Sequence, residues 1–238
     1  MAVAFDAVAN GSGYPQNPVT VSHSLGSASG NDRIVLAFVE AIGPAPHVFI
    51  QSDYDGVAMT QLTQESVTIF GRETSVTVFY LLESDLPASA GSYDFEFEIN
   101  AGAYGSFAGI ISYTGVNQVA PPFDGSSNSN NPALSGAYST NITVAAGDGI
   151  LVDVFGGEPS AGAGTGTPGA SQTERVDVGD LDEYFFISDK VFSSSGANSM
   201  SWTPSGSYWT AAHVIVELAQ AGGGGGGEEE SMMFGMNF

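Results

Sequence analysis

Cysteine is absent from the 238 residues, which excludes disulfides and zinc–thiolate sites and leaves packing as the source of stability. Cations are almost as scarce. Arg33, Arg72, Arg175 and Lys190 stand against 26 Asp and Glu, for a formal charge of -22. A polyphosphate is bound by a basic stripe, and four scattered cations cannot make one, so the expectation is no nucleic-acid partner. A self-repelling surface of this kind suits a salty medium, where screening confines the repulsion to about 8–10 Å. No uninterrupted apolar run approaches the ~18 residues that span a membrane, so no membrane partner is expected. The stretch from Met1 to Asp6 lacks the positive start and apolar core of an export signal. The expectation is a chain made in a cytoplasm that reaches its place by assembly or lysis. A convincing helical apolar period is missing as well.

What the chain does have is alternation. Tyr93-Asp94-Phe95-Glu96-Phe97-Glu98-Ile99 switches between large apolar and acidic residues over seven positions. Successive strand side chains point to opposite faces, so Tyr93, Phe95, Phe97 and Ile99 share a buried surface and the acids face water. Pro18 to Leu25 alternates in the same way. Arg33 to Ile42 is apolar on both faces, the pattern of a central strand covered on both sides. His47–Gln51, Val57–Leu62, Ser66–Phe70, Thr74–Leu82, Phe107–Val116 and Glu183–Phe192 read as further strands, while 117–134 reads as a long polar loop and 156–170 as a Gly-rich one. Strands at this spacing, with Gly, Pro, Asn and Ser between them, predict an all-β fold: an antiparallel two-sheet β-sandwich of jelly-roll or immunoglobulin-like kind over residues 1–220. The second half echoes the first. Asn141 to Phe155 repeats the plan of Val19 to Phe38, with a turn ending in Asp32 or Asp148, and 206–218 echoes 105–113.

Chemical signatures are thin. Gly164, Gly166 and Gly169 spell G-x-G-x-x-G, but Pro168 and the polar residues after it provide no helix to hold a phosphate, so no cofactor is expected. Asp177, Asp180, Asp182 and Glu183 crowd one segment, and oxygen ligands at that density are weak calcium candidates without the EF-hand spacing. In so acidic a chain, clustered carboxylates are ordinarily a solvated loop. His23 and His213 lie on apolar strands, where a lone imidazole is ordinarily a core residue. Trp202, Tyr208 and Trp209 would stack on a sugar ring if exposed; otherwise they are core.

The run from Val19 through Asp32-Arg33-Ile34-Val35-Leu36, Asp55-Gly56-Val57-Ala58-Met59-Thr60, Val78-Phe79-Tyr80-Leu81, Gly91-Ser92-Tyr93 and Ile111-Ser112-Tyr113-Thr114-Gly115-Val116-Asn117-Gln118 resembles β-sandwich modules of tailed-phage virion proteins and of some bacterial surface proteins. The resemblance covers roughly Pro18 to Leu218. It implies a non-enzymatic structural or display module, a capsid decoration (cement) or fibre subunit located in the virion, a homo-oligomer or a partner of the major capsid protein. It carries over no catalytic residues. A carbohydrate-binding, lectin-like module with a glycan as ligand is the alternative, and a hydrolase with a dispersed site is a third. Outside the resemblance, 221–238 combines a Gly-rich linker, Glu228-Glu229-Glu230, and a C-terminal peptide in which Met232, Phe234, Met236 and Phe238 alternate with Met233, Gly235 and Asn237. Six glycines make a flexible linker. The peptide reads as an anchor, a short strand with one apolar face that adds to a neighbouring subunit.

Overall fold

In the computed structural model the described residues are 2–13, 18–44, 46–69, 71–100, 103, 105–134, 136–144, 148–160, 162–179 and 183–222. The first half runs β1 (Ala4–Ser12), β2 (Val19–Leu25), β3 (Ile34–Pro44), β4 (Phe49–Tyr54), β5 (Val57–Ala58), β6 (Thr60–Ile69), β7 (Arg72–Leu82), β8 (Gly91–Ile99) and β9 (Gly105–Thr114). The second runs β10 (Phe123–Leu134), β11 (Tyr138–Val144), β12 (Gly149–Pro159), β13 (Gly166–Pro168), β14 (Thr173–Gly179), β15 (Tyr184–Phe192), β16 (Gly196–Pro204) and β17 (Tyr208–Ala219).

Each half is an antiparallel two-sheet sandwich, and the two share one plan. The inner sheets are ordered β1-β9-β3-β7-β6 and β10-β17-β12-β15-β14; the outer sheets are β2-β8-β4-β5 and β11-β16-β13. The turns entering β3 and β12 both end on an aspartate in the left-handed region, Asp32 at φ 53 and Asp148 at φ 62, a conformation that Asp tolerates better than most residues. The echo in the sequence is therefore a structural duplication.

The inner sheets pack against each other. Ile34, Leu36, Phe38, Val76, Val78 and Ile111 meet Ile150, Val152, Val154, Ile187, Val214 and Val216 in one apolar cluster. The opposite face of the first inner sheet packs on β2, β4 and β8 through Val35, Ala37, Val39, Phe95 and Phe97. The second inner sheet does the same on β11 and β16 through Phe155, Phe186, Trp202 and Met200. The four sheets thus stack in layers, with β3 and β12 buried on both faces apart from Pro44. That is why both read as unbroken apolar runs.

Two of the four cations clamp the halves together. Arg72 of β7 pairs with Glu158 of β12. Arg175 of β14 holds Asp189 through Nε and Nη2 at 2.7 and 3.1 Å and lies 3.8 Å over the Phe5 ring of the other half. Tyr113 donates to the same Asp189 at 3.0 Å, and the Thr74 and Thr210 hydroxyls meet at 2.5 Å.

Three sequence expectations are corrected. Residues 123–134 are not a loop but β10, paired along β17. Their Ser and Asn content carries no strand signal, and position in the duplication places them as the counterpart of β1, which pairs with β9. The candidates Val57–Leu62 and Ser66–Phe70 resolve into β5 and one long β6 that runs through Gln64 and Glu65. The Gly-rich stretch holds the end of β12 and the short β13.

Phe95 and Phe97 are fully buried and stacked 5.6 Å apart. Phe97→Ala is expected to cost ~3–5 kcal/mol in chemical denaturation. Glu96→Ala should be close to neutral, because Glu96 sits directly opposite another acid, Asp53, whose repulsion is relieved. Equal losses from the two variants would contradict the register.

Candidate functional site

All three imidazoles are buried, and each belongs to a polar network inside a sandwich. His213 on β17 sits between Asp153 of β12, 2.9 Å from its Nε2, and Thr140 of β11, 2.8 Å from its Nδ1. A ring protonated on Nε2 donates to the carboxylate and accepts the Thr140 hydroxyl. Asp153 also accepts from the Ser188 amide at 3.1 Å and from its hydroxyl at 2.5 Å. Gln172 donates to Ser188 Oγ at 2.7 Å and accepts the Ser201 amide at 2.8 Å. Acid, imidazole and hydroxyl are thus in line as in a nucleophilic triad. His213 and Asp153 have no solvent exposure, however, and Thr140 is 2% exposed, so no substrate carbonyl reaches the hydroxyl. What the arrangement does is tie the inner sheet to the outer one across the second core.

The first sandwich has its own version. His23 Nδ1 lies 3.0 Å from the Tyr54 hydroxyl, and Ser112 Oγ lies 3.5 Å from Nε2 while donating to Asp6 at 2.9 Å. Burial lowers the His23 pKa below its usual value, against the opposing pull of a bond to the Ala7 backbone and of Asp6. His47 is lowered by burial too, against Glu73. Its Nδ1 faces both Ser75 Oγ at 3.2 Å and Glu73 at 3.5 Å. Hydroxyl and acid share one nitrogen there, so the ring cannot relay a proton from one to the other. Burial also pushes the Tyr138 phenol up to about 12.

On the surface, two depressions stand out. A groove of about 430 Å3 runs between β4 and the chain from Gly56 to Met59. A smaller one of about 220 Å3 is lined by Ile69, Arg72, Trp209 and Thr210 at the junction of the halves. The outer sheet faces differ sharply. That of the first half carries Asp53, Asp94, Glu96 and Glu98. That of the second exposes Ser139, Asn141, Thr143, Ala197, Ser199 and Thr203, with no charge among them.

Of the sequence candidates, Asp177 lies on β14 and accepts the Gly166 amide at 3.0 Å, and Glu183 is 4% exposed. Asp180 and Asp182 fall outside the described residues, and no group of three or more potential metal ligands is found among those described. Gly166 begins a strand, with no helix after it to hold a phosphate. Trp202 and Tyr208 are core, whereas Trp209 is 47% exposed. Met232, Met233, Phe234, Met236 and Phe238 lie outside the described residues. The β4 groove was not anticipated from sequence, although adjacent Val48 and Ile50 flanking Phe49 carried a signal. The class that fold and site define is an acidic, duplicated antiparallel β-sandwich. The chain matches no protein-family model, and neither curated proteins nor solved structures match it.

The lowered histidines make a pH prediction. Between their folded pKa values and the usual 6.5 the unfolded chain binds more protons, so the stability they confer is present above 6.5 and is lost as pH falls from there through the lowered values. The melting temperature of the His23→Gln, His47→Gln double variant should therefore lie furthest below wild type near neutrality, and the gap should narrow on acidification toward about pH 5. A constant gap would contradict the linkage.

Proposed function

We propose that the protein is a non-enzymatic structural subunit of a virion, of the capsid decoration or fibre kind, held to neighbouring subunits partly by its C-terminal peptide. The observation that carries this reading is the change of composition at Gly222. A closed double sandwich is followed by six glycines, three glutamates and an alternating Met/Phe peptide. A core has no use for the first two, and a linker has no use for the third. The resemblance of 18–218 to virion β-sandwich modules supports the same reading. So does the uncharged outer face of β11 and β16, through which a chain of charge -22 approaches another surface with least repulsion. The imidazoles are spent on core networks, which leaves no accessible base among the described histidines.

Deleting 222–238 should leave the melting temperature nearly unchanged and abolish incorporation, read by electron microscopy and occupancy of the native particle. Truncated protein incorporated at wild-type occupancy would place the anchor elsewhere.

A second reading, a carbohydrate-binding module, draws on the half-exposed Trp209 beside Arg72 and Thr210. An indole face of this kind stacks on a sugar ring. Under that reading Trp209→Ala abolishes glycan-array binding without loss of stability; a wild-type protein silent on the array removes it.

A further inference from the structure

Sheet edges leave backbone N–H and C=O groups without strand partners, and most proteins cover or blunt them. In the order β2-β8-β4-β5, β5 is two residues long and covers β4 only at Asp53 and Tyr54. The Met59 amide adds one bond to the Ser52 carbonyl at 3.0 Å. From Phe49 to Gln51 no described strand pairs with the outer side of β4. Val48 (53% exposed) and Ile50 (62%) flank Phe49 here, and Val57 (39%) lies opposite Tyr54 on β5, near the 430 Å3 groove whose apolar lining includes Phe49, Ile50, Ala58 and Met59. Half of the large apolar side chains exposed among the described residues are therefore on β4, just before it or on the short strand beside it. In the second half the third outer strand, β13, has only three residues, too few to present an edge of this length.

We infer that this groove receives the peptide 231–238 of a neighbouring copy, with Met232, Phe234, Met236 and Phe238 seated along it. The inference rests on the anchoring role proposed above and names where the anchor lands. Side chains of period two on an extended peptide match an open strand edge, and methionine adapts to an irregular groove. The volume falls in the ~300–1,000 Å3 range of ligand pockets. Charge sets the direction of approach. The acidic face of β8 lies on one side of β4 and Asp53 lines one end of the groove, so the collar 228–230 is kept off and the apolar side chains after it are the part that enters.

Reach decides between the same copy and another. The chain leaves the fold where the Ala221 amide bonds the Gly115 carbonyl, beside Asn31 and Asp32. Phe49 pairs with Ile99 at the far end of the strands, and the neighbouring His47 amide meets Glu73 there. The 11 residues of β3 separate these ends, roughly 36 Å at ~3.3 Å per residue. A flexible Gly-rich linker of the length from Gly222 to Met232 spans about 17 Å on average, and about 35 Å when fully drawn out. The tail therefore reaches the Phe49 end of its own groove only when fully drawn out, and the groove of a neighbour, free to approach, is the favoured seat. The bulge between Phe49 and Gln51 leaves Ile50 unpaired and blunts the edge against unlimited strand addition. Side-chain insertion with a few backbone bonds is then what holds the peptide.

The absence of cysteine allows a clean trap. The full chain carrying Ile50→Cys and Met236→Cys, oxidised at a concentration where wild type self-associates in sedimentation, should form covalent oligomers that reductant dissolves. Neither single variant should do so. Ile50→Glu in the full chain, with an unchanged melting temperature because the site is exposed, should weaken self-association by at least about tenfold. A double-cysteine variant that crosslinks only within monomers, or not at all, overturns the groove assignment. So does Ile50→Glu protein that associates like wild type, and a tail deletion that dissociates in the same assay would then leave the anchoring role standing. A wild-type chain that stays monomeric at all concentrations overturns both.

Discussion

The fold depends on two five-stranded sheets burying their backs against each other. A single two-sheet sandwich buries one face of each strand; stacking two of them face to face buries β3 and β12 on both sides and makes one continuous core from Ile34 to Leu218. Each large apolar side chain fully removed from water contributes about 1.5–3 kcal/mol, so the shared cluster is a principal source of cohesion in a chain without disulfides. It also lets the molecule carry -22 charges. The acids lie mainly on the outside, and two of the four cations, Arg72 and Arg175, are placed where the halves meet. Arg175 satisfies Asp189, a carboxylate 3% exposed that also accepts Tyr113, while stacking over Phe5 of the other half.

Duplication then divergence explains where the halves differ. Ile34 pairs with Leu82 and Tyr113, and Ile150 with Val191 and Leu218, so the two occupy corresponding places. Three residues on, Ala37 faces Phe79 in the first half and Asp153 faces Ser188 in the second. The counterpart of His213 by the same register is Ala108. An apolar patch and a hydrogen-bonded network thus fill the same volume in the two copies. A buried carboxylate is tolerated only when fully bonded, and Asp153 has an imidazole, an amide and a hydroxyl around it. The outer sheets diverged in another way, to an acidic face with an open groove in one half and an uncharged hydroxyl face in the other. The scaffold is shared, and any function resides in what is not.

Part of this was legible before the structure. Tyr93 to Ile99 announces its strand and its buried side because hydrophobic burial acts on each residue separately and leaves a period of two. Arg33 to Ile42 announces a strand covered on both faces for the same reason, and the aspartate turns at Asp32 and Asp148 betray the repeat. Residues 123–134 were illegible because a Ser/Asn-rich strand is held by pairing to β17, and pairing leaves no mark on its own composition. The candidate site was less legible than the fold. Trp202, Tyr208 and Trp209 lie within eight residues of one another and are alike in chemistry, yet two are buried and one is half-exposed. Asp177, read as part of an acidic loop, is a strand residue bonded to Gly166.

By itself, then, the sequence determined the fold class and the faces of its alternating strands and hinted at the duplication, since these follow from local alternation, turn chemistry and self-similarity. Only the tertiary structure decided that two sandwiches stack as four layers, that His213, Asp153 and Thr140 meet in a closed core, and that no described strand covers the outer side of β4 from Phe49 to Gln51. These depend on which surfaces come together across 60 to 73 residues of chain in the case of His213, and hydrophobic burial alone does not specify the partner against which a face is buried.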